Sequence, residues 1–171
     1  YYNLLGVVFQ DFSLFSFTVA ENISMDTEYD DEKLAAAIKK SGLENRMRTL
    51  PHGTNTYIYK EFDPDGIELS GGEGQKIAIA RAVYRGAPIV IFDEPTSALD
   101  PIAEYDIYRN FHDLAENRTA IYISHRLSST RFTDKTAVFA NGTIAEYGTH
   151  AELMAIDGGI YKEMFSTQAK Y

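Results

Sequence analysis

Short, almost wholly apolar runs alternate along this chain with segments whose apolar residues recur at helical spacing. Residues 4–9 read LLGVVF, residues 89–92 read IVIF and residues 119–123 read TAIYI. Runs of this length read as strands, and the β-branched run 89–92 suits a central parallel strand covered on both faces. Between them, Asp30 or Asp31 can cap a helix to about residue 40, with Gly42 suited to its left-handed stop. A short helical piece over 44–49 ends before Pro51. Ser70 is placed to cap a helix to about residue 84, terminated at Gly86. Asp100-Pro101 is a favoured cap and first-turn pair. In the helix it opens, Ile107, Tyr108, Phe111 and Leu114 share one face. Residues 11–29 and 51–68 lack a sustained period and read as loops. Asn141-Gly142, between two β-rich arms over 136–147, is a strong hairpin signal. The tail from 149 to about 168 reads as two short helices broken at Gly158-Gly159. Strands alternating with helices point to a layered α/β fold.

The chain has 171 residues, enough for one sizeable core or a core with a small satellite. Its net charge of −9 argues against bulk electrostatic attraction to nucleic acid or to an anionic membrane. It leaves nucleotide binding open, since that needs only local positive potential. With no cysteine, neither a disulfide framework nor a thiolate metal site is available. No apolar run approaches the roughly 18 residues of a membrane span, and no signal-peptide pattern opens the chain. The sequence starts Tyr1-Tyr2 and runs directly into a strand, so a piece of a longer polypeptide is expected.

Asp93 and Glu94 follow the apolar run 89–92 directly. A carboxylate at the end of a buried strand suits Mg²⁺, which keeps part of its water shell. A second carboxylate beside it can orient and deprotonate an attacking water. Phosphoryl transfer asks a protein mainly for such positioning and charge stabilisation. Ser70-Gly71-Gly72 stands where a helix begins, so unpaired N–H groups and the helix dipole favour an anion there, and glycines let it approach. Taken alone, D-E or S-G-G would more often be a solvated acidic pair and an ordinary cap. Their surroundings, LSGGEGQKIAIARA and IVIFDEPTSALD, shift that balance. Gly74, early in the helix, costs about 1 kcal/mol relative to Ala, and closer packing is the one use the sequence suggests. No G-x-x-x-x-G-K-S/T loop occurs in the 171 residues, so the usual phosphate cradle is missing from them.

These two segments, followed by TAIYISH, resemble in order the signature, Walker B, D-loop and H-loop of ATP-binding cassette (ABC) nucleotide-binding domains. DFSLFSFTVAENI and GTNTYIYKEFDPDGIELSGG resemble the exporter branch, in which the ATPase domain is fused behind a membrane domain. The resemblance covers nearly the whole chain from Leu4. It implies a P-loop NTPase-like three-layer α/β sheet with a helical signature subdomain, truncated on the Walker A side. Residues 1–10 and 88–171 would form the core part, and about 25–86 the signature subdomain. Glu94 would then be the catalytic base, His125 the switch histidine, and Gln10 the Q-loop glutamine near metal and water. Asp93 with Gln10 would hold Mg²⁺. Ser70, Gly71, Gly72 and Glu73 would bind ATP on an opposing subunit, with Asp100 in the crossing D-loop. Glu73 stands where the commonest pattern has Gln, and Gly74 where it has a larger residue. The other histidines (His52, His112 and His150) are read as structural.

The implied partners are a second nucleotide-binding domain and the membrane domain of the same polypeptide, at the cytoplasmic face of a membrane, with no nucleic acid. Glu61 to Gly66 would lie against the membrane domain, although the usual T-x-V-G-E-x-G pattern is not kept. The expected function is ATP hydrolysis driving export in the parent, with little activity in this piece alone. The resemblance also implies that the phosphate-loop strand normally separates the strand at 119–123 from the one near 137. Its loss should leave an unpaired edge, with local rearrangement or a swapped or augmented dimer. Two alternatives stay open: a soluble ABC ATPase outside transport, and a nucleotide-switched interaction module. A metal-dependent phosphatase lacks the ligand clusters such sites need.

Overall fold

The computed structural model describes residues 4–95 and 118–168. The chain divides into two compact units, Tyr1–Ile123 and Ser124–Tyr171. In the first, β1 (Leu5–Val8), β2 (Ile89–Asp93) and β3 (Thr119–Ile123) form a parallel sheet in the order β1-β2-β3. The register sets Val8 beside Phe92 and Asp93 beside Ile123. Val90 and Phe92 are buried beneath the central strand, as its apolar run requires. Phe92 also stacks on Tyr122, ring centres 5.1 Å apart.

Among the described residues four helices accompany this sheet: α1 (Val19–Ser24), α2 (Asp31–Lys40), α3 (Glu44–Thr49) and α4 (Gly71–Arg85). Three of them match the expected helices to within a residue or two. Helix α1 does not, because it lies inside the segment read as loop. It is too short to display a period, and a capping box starts it instead. The Thr18 hydroxyl accepts from the Glu21 N–H, and the Glu21 carboxylate accepts from the Thr18 N–H at 2.8 Å. Val19, Ala20 and Ile23 then bury completely. Thr18 and Glu21 were the available signal.

The second expected loop, 51–68, is also more ordered than its composition suggests. It holds a 3₁₀ turn at Gly53–Asn55 and two isolated β-bridges, Thr18 to Tyr57 and Ile58 to Ile67. Gly66 is required here, since a Cβ would lie 1.9 Å from the Tyr59 carbonyl oxygen. Such backbone-on-backbone closure has no hydrophobic period to announce it.

Helix α4 is apolar on two flanks. Ile77 and Ala80 join Val19, Ala20, Ile23, Leu34, Ala37 and Ile38 in one cluster with α1 and α2. Ala78, Ile79 and Ala82 join Val8, Val90 and Phe92 in another under the sheet. The alanines keep the helix slim enough to lie close to both neighbours.

The second unit opens with a 3₁₀ segment, Leu127–Phe132, and a hairpin of β4 (Thr136–Ala140) and β5 (Thr143–Gly148). Asn141 and Gly142 both take positive φ, 50° and 76°, as a two-residue primed turn demands. Helices α5 (His150–Met154) and α6 (Ile160–Gln168) follow, separated at Gly158-Gly159 as the sequence suggests. Leu127, Leu153 and Tyr161 form the core of this unit.

Among the described residues, β3 hydrogen-bonds to β2 alone, and β4 belongs to a separate two-stranded sheet. Ile121 and Ile123 of β3 are 46% and 52% exposed, so this strand is covered far less than β2. The helix expected after Asp100-Pro101 lies outside the described residues.

Glu152 caps α5 through Thr149 and is paired with Lys135 at 2.9 Å. The Thr149 N–H first, then the Lys135 ammonium, lower its pKa from 4.5 to about 2. A carboxyl depressed on folding favours the fold above its unfolded pKa and loses that contribution as pH falls toward its folded one. We expect an NMR titration of the Glu152 side chain to give a midpoint near 2, rising toward the ordinary range in Lys135→Ala. An ordinary midpoint with Lys135 in place would contradict the geometry.

Candidate functional site

Parallel strands bring their C-terminal ends to one edge, the usual location of a site in an α/β sheet. Asp93 is the last residue of β2, and Glu94 follows it. Both are half-buried. Gln10, exposed in the turn two residues beyond Val8, leaves β1 at the same edge. Glu94 has φ +47°, the left-handed region that bulky residues seldom occupy. Its N–H donates to the Ile123 carbonyl at 2.9 Å, and its carbonyl accepts from Gln75 Nε2 at 3.4 Å. The unusual backbone is therefore held from β3 on one side and from α4 on the other. Strained positions of this kind persist only where the surroundings enforce them.

Gln75 is fully buried and stands five residues into the motif that Ser70 begins. A helix rises about 1.5 Å per residue, so roughly 7.5 Å along α4 separates the Ser70 cap from the Glu94 carbonyl's partner. Ser70 itself is exposed and caps α4 through a complete capping box. Its hydroxyl accepts from the Glu73 N–H, and Glu73 Oε2 accepts from the Ser70 N–H at 2.9 Å. A carboxylate at a helix start would by itself repel an incoming anion. Arg46 Nε lies 2.7 Å from Glu73 Oε1 and offsets that charge. Gly71 is exposed and Gly72 half-buried, so this end of the helix offers backbone without side chains in the way.

Gly74 now has a physical account. A Cβ there would meet Phe12 Cε2 at 3.0 Å and Leu14 Cδ1 at 3.2 Å. The glycine lets the segment after Gln10 pack onto α4, which offsets its weak helix propensity.

Two further residues escaped the sequence reading. Asn22, fully buried, accepts from the Phe15 N–H and donates to the carbonyls of Phe15, Phe17 and Thr18. Arg81 donates to the carbonyls of Asn22 and Ser13. Burial of its guanidinium lowers the pKa from its ordinary value. Together they shape the segment that follows Gln10. An Asn within VAENI and an Arg within IAIARAV were the hints in the sequence.

His125 belongs to the second unit and is exposed. The Ser124 hydroxyl accepts from the Arg126 N–H at 2.9 Å, making a local turn around it. Asp100 lies outside the described residues. The first unit therefore brings Gln10, Asp93 and Glu94 to one sheet edge and links Glu94 to the Ser70 helix.

The described residues contain no group of three or more metal-ligating side chains. A single strand-end carboxylate with a nearby amide still fits Mg²⁺, which keeps several waters and takes phosphate oxygens as ligands. It does not fit a closed structural cage.

The ABC transporter family model matches residues 2–97. A mitochondrial iron–sulfur clusters transporter of Rattus norvegicus is 39% identical over 166 residues, 96% of this chain and 22% of that protein. An ATP-dependent lipid A-core flippase of Cupriavidus pinatubonensis is 39% identical, over 96% of this chain and 28% of its own length. A heavy metal tolerance protein of Schizosaccharomyces pombe is 41% identical, with 20% of its length covered. Among solved structures, a bacterial Atm1-family ABC exporter with ATP bound superposes with a TM-score of 0.86 at 38% identity. The match covers 98% of this chain and 29% of that one. The chain thus spans less than a third of the length of these relatives.

Gly74→Leu should destabilise the chain by about 1–3 kcal/mol through overpacking against Phe12 and Leu14. Phe12→Ala in the same molecule should recover part of that loss in urea unfolding. If Gly74→Leu instead raises the midpoint, the close approach is not what the glycine serves.

Proposed function

The chain belongs to the ABC transporter family, and from that membership we propose that it is part of an exporter's ATPase domain. In the intact protein this domain hydrolyses ATP to drive transport across a membrane. The observation that carries the reading is the treatment of Glu94. One residue beyond Asp93, its backbone is held in a left-handed conformation by β3 and by a buried glutamine of the signature helix. A solvated acidic pair at a strand end would need no such support.

In this reading Glu94 takes a proton from the attacking water, and Asp93 with Gln10 holds Mg²⁺. When bound there, Mg²⁺ would supply charge neutralisation at the ATP phosphates. His125 donates a hydrogen bond to the γ-phosphate. Ser70, Gly71, Gly72 and Glu73 face the ATP of an opposing domain, and Asp100 lies in the loop that crosses to it. Each nucleotide is therefore shared by two ATPase domains. The 171 residues contain no phosphate-loop motif, so by themselves they should bind ATP weakly and turn it over negligibly.

A membrane domain of the same polypeptide is the second partner, with the ATPase domain on the cytoplasmic face. Phe15, Phe17 and Met25 are 41%, 50% and 54% exposed around one surface pocket. The Ser16 hydroxyl donates to the Glu61 carboxylate, which joins the 61–66 segment to that apolar surface. An exposed apolar patch bordered by acidic groups supports a docking role here.

In the full-length parent, Glu94→Gln should lower ATP turnover by about 100-fold or more, on the scale of losing a general base. Bound ATP should remain detectable after gel filtration. Unchanged turnover would point to another base and end this assignment. The isolated chain should show no ATPase rate that depends on Glu94.

A further inference from the structure

We propose that Gln168, on the last helix of the second unit, is a positioning residue for His125. Its side-chain amide grips the backbone on both sides of that histidine's turn. Gln168 Nε2 donates to the His125 carbonyl at 2.5 Å, and Gln168 Oε1 accepts from the Leu127 N–H at 2.8 Å. A primary amide that uses its donor and its acceptor at once fixes two peptide groups relative to one rigid helix. Few other side chains of this length have that chemistry.

The grip is one end of a longer seam. Tyr161, Phe165 and Gln168 fall at i, i+4 and i+7 on α6 and so share one face. Tyr161 is fully buried, and its hydroxyl lies 2.5 Å from Thr130 Oγ1 and 2.7 Å from His150 Nδ1. Phe165 lies under the Arg131 guanidinium at 5.0 Å. The same helix face therefore meets residues 131, 130, 127 and 125. Helix α6 acts as a splint along the 3₁₀ segment that follows the histidine, and Gln168 sets the position where the splint reaches the turn.

That arrangement answers a need of the turn itself. His125 is exposed, and its chain direction is set locally by the Ser124 hydroxyl, which accepts from Arg126. A Ser turn alone is a weak restraint. Donation to a phosphate needs the ring held to within a fraction of an ångström, because small misplacements of a catalytic group are costly. The amide from α6 supplies a restraint from an element that carries no reacting group. The functional consequence rests on the reading of His125 given above.

The test uses the full-length parent, with ATPase kinetics and amide hydrogen exchange. Gln168→Ala should lower kcat about tenfold while KM for ATP stays within about twofold, as expected for a misplaced group rather than lost binding. It should also speed exchange of the Leu127 amide. Gln168→Glu, which keeps the acceptor, should restore protection of that amide. In a His125→Ala background, Gln168→Ala should cause no further loss of kcat, because the two act as one unit. Equal losses with and without His125 would show a general structural defect and overturn the proposal. So would a native kcat in Gln168→Ala when His125→Ala is impaired. Should His125→Ala itself turn over normally, the role assigned to His125 fails, and the positioning role falls with it.

Discussion

Burial of helix α4 on two flanks holds the first unit together. One flank closes the cluster formed with α1 and α2, and the other lies under the parallel sheet through Ala78, Ile79 and Ala82. Neither cluster is complete without it. The geometry also ties the two acid-and-glycine motifs into one object. Ser70 caps the helix, and Gln75, buried a turn and a half further on, reaches the Glu94 carbonyl. Packing on both flanks fixes the distance between the glycine end and the Glu94 carbonyl.

Polar groups complete what apolar packing begins. Asn22 sits wholly inside the protein and is acceptable there because its amide meets backbone groups of Phe15, Phe17 and Thr18. Arg81 pairs with two carbonyls of the same region at the cost of partial desolvation. Between them they hold the chain after Gln10 without regular secondary structure. Arg46 plays a comparable part for Glu73, cancelling a carboxylate that would otherwise oppose an anion at the start of α4. In each case a charged or amide side chain meets groups that apolar packing alone would leave unmatched.

The second unit follows different rules. Its hairpin depends on a two-residue turn whose backbone only residues such as Asn and Gly adopt readily, and its two short helices bury little. Tyr161 compensates by filling the centre and bonding to both Thr130 and His150. Glu152 ties the start of α5 to Lys135. Small units with thin cores rely on such specific polar contacts more than large ones do.

Spacing and turn chemistry were enough to locate the described strands, helices α2, α3 and α4, the hairpin turn and the break at Gly158-Gly159. Those features depend on side-chain spacing and turn chemistry, which are local. Local spacing also placed Ser70 at a cap and Asp93 with Glu94 at a strand end, and the resemblance supplied the roles suggested for them. It did not reveal α1, whose single turn and a half has no period, nor the bridges around Gly66, which are backbone closures between distant residues. For Gly74 the sequence suggested closer packing but not its partners, because Phe12 and Leu14 lie some sixty positions earlier in the chain. The same holds for the grip of Gln75 on Glu94 and of Gln168 on the turn at His125. Contacts between residues far apart in sequence arise only when the chain has folded, and no local pattern encodes them.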